Sequence, residues 1–241
     1  MKINKKNFPV VAAVSAVVII AIGLFIFKRG GGNQDYRTLS LEESPYVRLV
    51  PREDGHWLKL IIANFEVSGA ATLDYELIYD VPGLATQGVP GTIEIDGSDT
   101  VERDLLLGSE SSGNFRYDED VEAGTLNLNF RSSNGKLLAE LSSDWRLLKD
   151  TTDIFSADGD FNLVLDEPNS SHFIVVMSTF GLPMPLENAK GVPYGAFSSG
   201  GEPYPGTLDF GDNVVRWDGD GYRDVEGDTV PNIGTFVQTS N

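Results

Sequence analysis

The chain has 241 residues, 36 Asp and Glu against 18 Lys and Arg, and a formal net charge of −18 at pH 7. It has no cysteine, which excludes a disulfide framework, a thiolate metal site and a lipid-modified cysteine. So acidic a field repels phosphate backbones and argues against nucleic-acid binding, while it favours solubility, divalent cations and basic partners.

Residues 1–8 carry Lys2, Lys5 and Lys6 and read as a cytoplasmic tail. Residues 9–27 hold no charge, and Ser15 is their only polar side chain. In helical form that run spans roughly 28 Å, close to the hydrocarbon thickness of a bilayer. A cleavable signal peptide has a shorter apolar core and a small-residue cleavage site, whereas this run ends in Phe25-Ile26-Phe27-Lys28-Arg29. Residues 9–29 are therefore expected to be an uncleaved transmembrane signal-anchor, with residues 9–27 in the lipid bilayer. Three cations before the run against two after it lean towards a cytoplasmic N-terminus and an extracytoplasmic body on a single-pass protein of the cell membrane. All 36 acids but only 13 of the 18 basic residues lie beyond residue 29, so the body carries 13 − 36 = −23 formal charges. An exported body without cysteine reads as bacterial.

Residues 30–45 begin with three glycines and continue polar, which predicts a flexible spacer. From Tyr46 the hydropathy takes period two. Leu58, Leu60 and Ile62 alternate with Trp57, Lys59 and Ile61; Leu73, Tyr75, Leu77, Tyr79 and Val81 face away from Asp74, Glu76 and Asp80. Strands are expected near 89–95 and 101–107, separated by the turn residues Asp96-Gly97-Ser98-Asp99. Leu126, Leu128 and Phe130 make another strand, and Asn134-Gly135 predicts a hairpin back through Leu137, Ala139, Leu141 and Trp145. About seven short strands over residues 46–149 predict an all-β fold, an Ig-like antiparallel β-sandwich, with a barrel as the alternative because periodicity shows strands and not topology.

Beyond residue 149 strands are expected at 161–165, 173–177, 207–210, 214–217 and 235–238. Residues 181–206 carry Pro183, Pro185, Pro193, Pro203 and Pro205, which speak against a central strand and predict a long loop. Residues 150–241 read as a second, smaller β domain with this Pro/Gly-rich loop, or as the remainder of one larger sandwich.

Four segments resemble a family of single-pass, membrane-anchored surface β-domain proteins of candidate-phylum (Patescibacteria-type) bacteria: Tyr75-Glu76-Leu77-Ile78-Tyr79-Asp80, Gly88-Val89-Pro90-Gly91-Thr92-Ile93, Leu105-Leu106-Leu107-Gly108-Ser109 and Phe115-Arg116-Tyr117-Asp118-Glu119. The resemblance covers roughly residues 56–148 and extends to Met177-Ser178-Thr179-Phe180-Gly181-Leu182-Pro183. Members often carry a cysteine pair around a Ser-Ser-Gly turn; the matching Glu110-Ser111-Ser112-Gly113-Asn114-Phe115 has none. The resemblance implies an architecture and a place, with no activity and no catalytic residues.

Asp218, Asp220, Asp224, Glu226 and Asp228 lie in a Gly-rich run with the spacing of a calcium loop, although Arg223 and Thr229 stand where an EF-hand needs Gly and Glu. The same residues are ordinary turn chemistry. Asp158-Gly159-Asp160 and the Asp118-Glu119-Asp120 run are weaker metal candidates. Only two histidines occur, His56 and His172, and each precedes an expected strand; no nucleophile elbow, P-loop or dinucleotide fingerprint is present. Tyr194, Phe197, Tyr204, Trp217 and Tyr222 are candidate stacking residues for a glycan or a surface protein. The combined expectation is a non-enzymatic protein for surface binding, adhesion or envelope organisation. The alternatives are an envelope-acting, carboxylate-dependent hydrolase and an accessory subunit of a membrane complex.

Overall fold

A computed structural model of the chain describes residues 36–65 and 67–240. The expected tail at 1–8, the expected anchor at 9–29 and the first part of the expected spacer lie outside the described residues. Among the described residues no helix is long and apolar enough to cross a membrane, and the regular elements are eighteen strands. They are β1 (Tyr46–Pro51), β2 (Trp57–Ala63), β3 (Thr72–Tyr79), β4 (Gln87–Glu94), β5 (Thr100–Leu106), β6 (Gly108–Ser111), β7 (Asn114–Tyr117), β8 (Ala123–Arg131) and β9 (Leu137–Leu148) in the first half. The second half has β10 (Asp153–Phe155), β11 (Asn162–Leu165), β12 (Ile174–Ser178), β13 (Ala189–Ser198), β14 (Gly206–Asp209), β15 (Val214–Trp217), β16 (Tyr222–Asp224), β17 (Thr229–Val230) and β18 (Thr235–Thr239).

One antiparallel sheet of nine strands runs through both halves in the order β16-β15-β18-β13-β12-β9-β8-β3-β4. The strands β1-β2-β5 form a three-stranded sheet, β10-β11-β14-β17 a four-stranded one, and β6-β7 a hairpin of their own. The two smaller sheets cover opposite faces of the large one. Successive residues of a strand point to opposite faces. Leu147 of β9, Val175 and Met177 of β12 and Phe197 of β13 join Leu49, Leu58, Leu60 and Leu105 in a first apolar cluster. Their sequence neighbours Leu148, Ile174, Val176 and Ala196 join Ile154, Phe161, Leu163 and Leu208 in a second. β12 is accordingly buried on both sides, which explains its continuous apolar run Ile-Val-Val-Met.

The large sheet is continuous across residues 149–150, where β9 pairs with β12 from Trp145↔Met177 to Leu148↔Ile174, and Val175, Met177 and Phe197 from beyond that point belong to the first cluster. Residues 36–241 form one compact unit.

Two expectations are corrected. Residues 36–45 of the expected flexible spacer fold onto the body. Leu39, Ser44 and Pro45 are buried, the Arg37 N–H donates to the Leu138 carbonyl at 3.0 Å, and Ser40 and Glu43 cap one another's backbone N–H groups. The loop expected at 181–206 contains β13, a central strand between β12 and β18. Pro193 is tolerated there because the pairing with β18 slips between Lys190 and Tyr194, and the missing N–H falls in that bulge.

The Asn134-Gly135 turn joins β8 to β9 as expected, with the Gly135 N–H donating to the Ser132 carbonyl at 2.8 Å. The turn at 96–99 instead carries the chain from β4 of the large sheet to β5 of the three-stranded one.

Candidate binding surface

The structure distributes the sequence-predicted aromatic residues between core and surface. Tyr194, Phe197 and Tyr204 are buried, at 3%, 9% and 8% exposure, and are packing residues. Trp217 and Tyr222 face each other across the β15–β16 hairpin with ring centroids 5.1 Å apart, and the Tyr222 hydroxyl donates to the Met184 carbonyl at 2.7 Å. Burial pushes the Tyr222 hydroxyl up to about 12.

The five acids of the candidate calcium run do not share one role. Asp218 closes the β15–β16 turn: its Oδ1 accepts the N–H groups of Asp220 and Gly221, each at 3.0 Å, and its Oδ2 pairs with Arg223 at 3.0 Å. These backbone N–H donors, with Arg223, hold its carboxyl below the usual range. Asp224 ends β16, and the Asp228 carbonyl accepts the Leu208 N–H. Among the described residues no three His, Asp or Glu side chains converge as a metal would require.

Asp158 is likewise engaged. Burial pushes its carboxyl up, but hydrogen bonds from the Ser156 and Tyr194 hydroxyls and the Asp160 N–H outweigh that and leave it lowered.

A different set of rings lies open. β6 and β7 pair from Gly108↔Tyr117 to Ser111↔Asn114 around Ser112 and Gly113, both at positive φ (53° and 78°), the geometry of a two-residue type I′ hairpin. At the base, the Leu107 N–H donates to the His56 carbonyl and the Asp118 N–H to the Leu107 carbonyl, fixing the hairpin beside the start of β2. Gly108 is required there: its φ is 149°, and a Cβ would stand 2.2 Å from the Arg116 carbonyl oxygen.

Phe115 and Tyr117 are two residues apart on β7 and share one face. Their rings are nearly parallel (4°) with centroids 6.2 Å apart, and they remain 46% and 38% exposed. The His56 ring stacks on Tyr117 at 4.3 Å, and Trp57 meets Phe115 edge-on at 5.6 Å. The Arg52 guanidinium sits 4.9 Å from the Trp57 ring centroid and pairs with Asp104 at 2.7 Å. Four rings from two distant segments thus form one surface platform.

His56 also lines a neighbouring cavity of about 660 Å³. Seven acidic residues line it, Asp54, Asp118, Glu119, Asp120, Glu122, Asp150 and Asp153, with the cations Arg146 and Lys149. Both cations lie over rings, Arg146 at 4.2 Å from Phe155 and Lys149 at 4.6 Å from Phe173. Asp118 accepts the Tyr79 hydroxyl at 3.0 Å; burial first, and this carboxylate second, push that hydroxyl well above the usual tyrosine range.

Sequence reasoning missed the platform. Its signal was the i, i+2 pair Phe115 and Tyr117 following a Ser-Ser-Gly turn. The second histidine is placed elsewhere: His172 Nδ1 lies 3.0 Å from Glu202 and 3.1 Å from the Tyr204 hydroxyl, holding the segments around β12 and β14 together.

No family model, no curated protein and no solved structure matches the chain.

Proposed function

We propose that the chain is a single-pass, membrane-anchored protein whose β body lies outside the cell and binds a partner there without catalysis. The anchor reading rests on the uncharged run at 9–27 and its cationic flanks. The strand order supports an Ig-like first half: β1-β2-β5 over β4-β3-β8-β9 is the arrangement of strands A, B and E over C′, C, F and G. In that register β6–β7 is an added hairpin between strands E and F.

The observation that carries the binding reading is the exposure of Phe115 and Tyr117 on that hairpin. Phe115 and Tyr117, still 46% and 38% exposed, offer about 1 kcal/mol each to whatever covers them, and exposed apolar surface rimmed by polar groups marks interaction sites. Protease treatment of intact cells tests the placement: the body is digested, and a body protected until lysis overturns it. Attachment of cells carrying the Phe115→Ala/Tyr117→Ala variant tests the platform. Attachment falls with the fold intact by thermal melt; unchanged attachment overturns the platform's role.

A further inference from the structure

We infer that the platform of Trp57, Phe115, Tyr117 and His56, with the acidic cavity that begins at His56, takes a Lys/Arg-rich polypeptide segment. The inference rests on the binding reading above and names the ligand's chemistry.

Three observations select a cation. First, the platform already holds one: Arg52 covers the Trp57 face. Its charge is satisfied by Asp104, so the exposed Phe115 ring and the part of the Tyr117 ring not covered by His56 are left for an incoming side chain. Aromatic faces attract guanidinium and ammonium groups through the ring quadrupole. Second, none of the seven cavity carboxylates takes part in an ion pair among the described residues. A cationic occupant therefore meets no competing ion pair at these residues, and because they line the cavity without converging on one point, an extended chain with several cations suits them better than one metal ion. Third, the body's surplus of 36 acids over 13 bases steers basic partners towards it and repels acidic ones. A neutral glycan stacks on rings equally well but gains nothing from the unpaired carboxylates.

The test uses the full chain in detergent and a fluorescent peptide of alternating Lys and Arg, with a Ser/Gly peptide of the same length and a neutral oligosaccharide as comparison probes. Anisotropy gives each dissociation constant, and thermal melts confirm that every variant is folded. The Lys/Arg peptide binds and the Ser/Gly peptide does not. Phe115→Ala/Tyr117→Ala and, separately, Glu119→Gln/Asp120→Asn each weaken the peptide about tenfold. Glu226→Gln/Asp228→Asn, the same change in charge beyond β16 at the far edge of the large sheet, leaves it unchanged.

Equal weakening by both acidic pairs, with no effect of the ring variant, overturns the inference in favour of diffuse attraction to an acidic body. Ring-dependent binding of the oligosaccharide without peptide binding also overturns it, yet leaves the binding reading standing. Ring-independent behaviour with every probe overturns both.

Discussion

The Tyr194 hydroxyl donates to the Asp158 carboxylate at 2.5 Å, joining β13 of the nine-stranded sheet to the turn between β10 and β11 of the four-stranded sheet. Each residue satisfies the other. The Tyr194 ring continues into the core, stacked on Phe161 at 5.7 Å and edge-on to Phe210 at 5.4 Å. Tyr194→Phe keeps the ring and removes the bond. Because the carboxylate is partly solvated, the expected cost is about 1 kcal/mol, read from chemical denaturation at neutral pH.

The same pair sets an acid dependence. The Asp158 carboxyl is lowered in the folded state, so its contribution is complete above the ordinary carboxylate value of 3.8 and is lost as pH falls through the lowered one. The gap in melting temperature between the native chain and Asp158→Asn is therefore constant between neutral pH and about pH 5 and narrows below pH 4. A gap that widens on acidification contradicts this.

Gly124 of β8 lies against Trp145, a fully buried ring. A Cβ at Gly124 would stand 2.1 Å from the Ile78 carbonyl oxygen and 2.6 Å from the Trp145 ring. Backbone and core indole both block the space, so Gly124→Ala destabilises by about 1–3 kcal/mol. A denaturant midpoint within error of the native value sinks the prediction.

Gly108 has a different consequence, because its hairpin stands outside the large sheet. Gly108→Ala strains the backbone and collides with the Arg116 carbonyl oxygen. Hydrogen exchange in residues 108–117 accelerates while the core strands β8 and β9 keep their protection. Equal loss of protection in both regions would show that the hairpin is part of the global folding unit.

Calcium at millimolar concentration is expected to leave the thermal midpoint where chelator leaves it. Both oxygens of Asp218 are already committed, to the Asp220 and Gly221 N–H groups and to Arg223. A rise of several degrees that Asp220→Ala abolishes would return the 218–228 run to the role of a metal loop.

Period-two alternation made most strands legible, because each needs only its own residues to declare a buried face. It does not say which face meets which sheet. Leu147 and Leu148, or Val175 and Val176, read as one apolar run, yet the members of each pair enter different cores. β13 was hidden by Pro193, whose lost N–H is absorbed by a bulge that depends on β18, a strand far along the chain. Tyr194 and Phe197, chosen from the proline-rich stretch, are therefore core residues of β13, and Tyr204 is buried from the segment before β14. The platform escaped for the opposite reason. Phe115 and Tyr117 sit among Asn114, Arg116 and Asp118, and His56 and Trp57 join them through the long-range pairing of Trp57 with Leu106 and the Leu107 hydrogen bonds.

The six register pairs of β1 with β2 have a mechanical meaning. β1 enters at Tyr46, opposite Ala63, and leaves at Pro51, opposite Leu58, beside the Trp57 end that carries the rings. A pull between Tyr46 and a partner held on those rings would run along β1, whose start lies at the opposite end of the ladder from Trp57. All six rungs would then have to give way together rather than unzip in turn. The same load also reaches the end of β12, because the Val47 N–H donates to the Thr179 carbonyl at 3.0 Å and Tyr46 bridges Phe180, so both halves of the molecule share the strain.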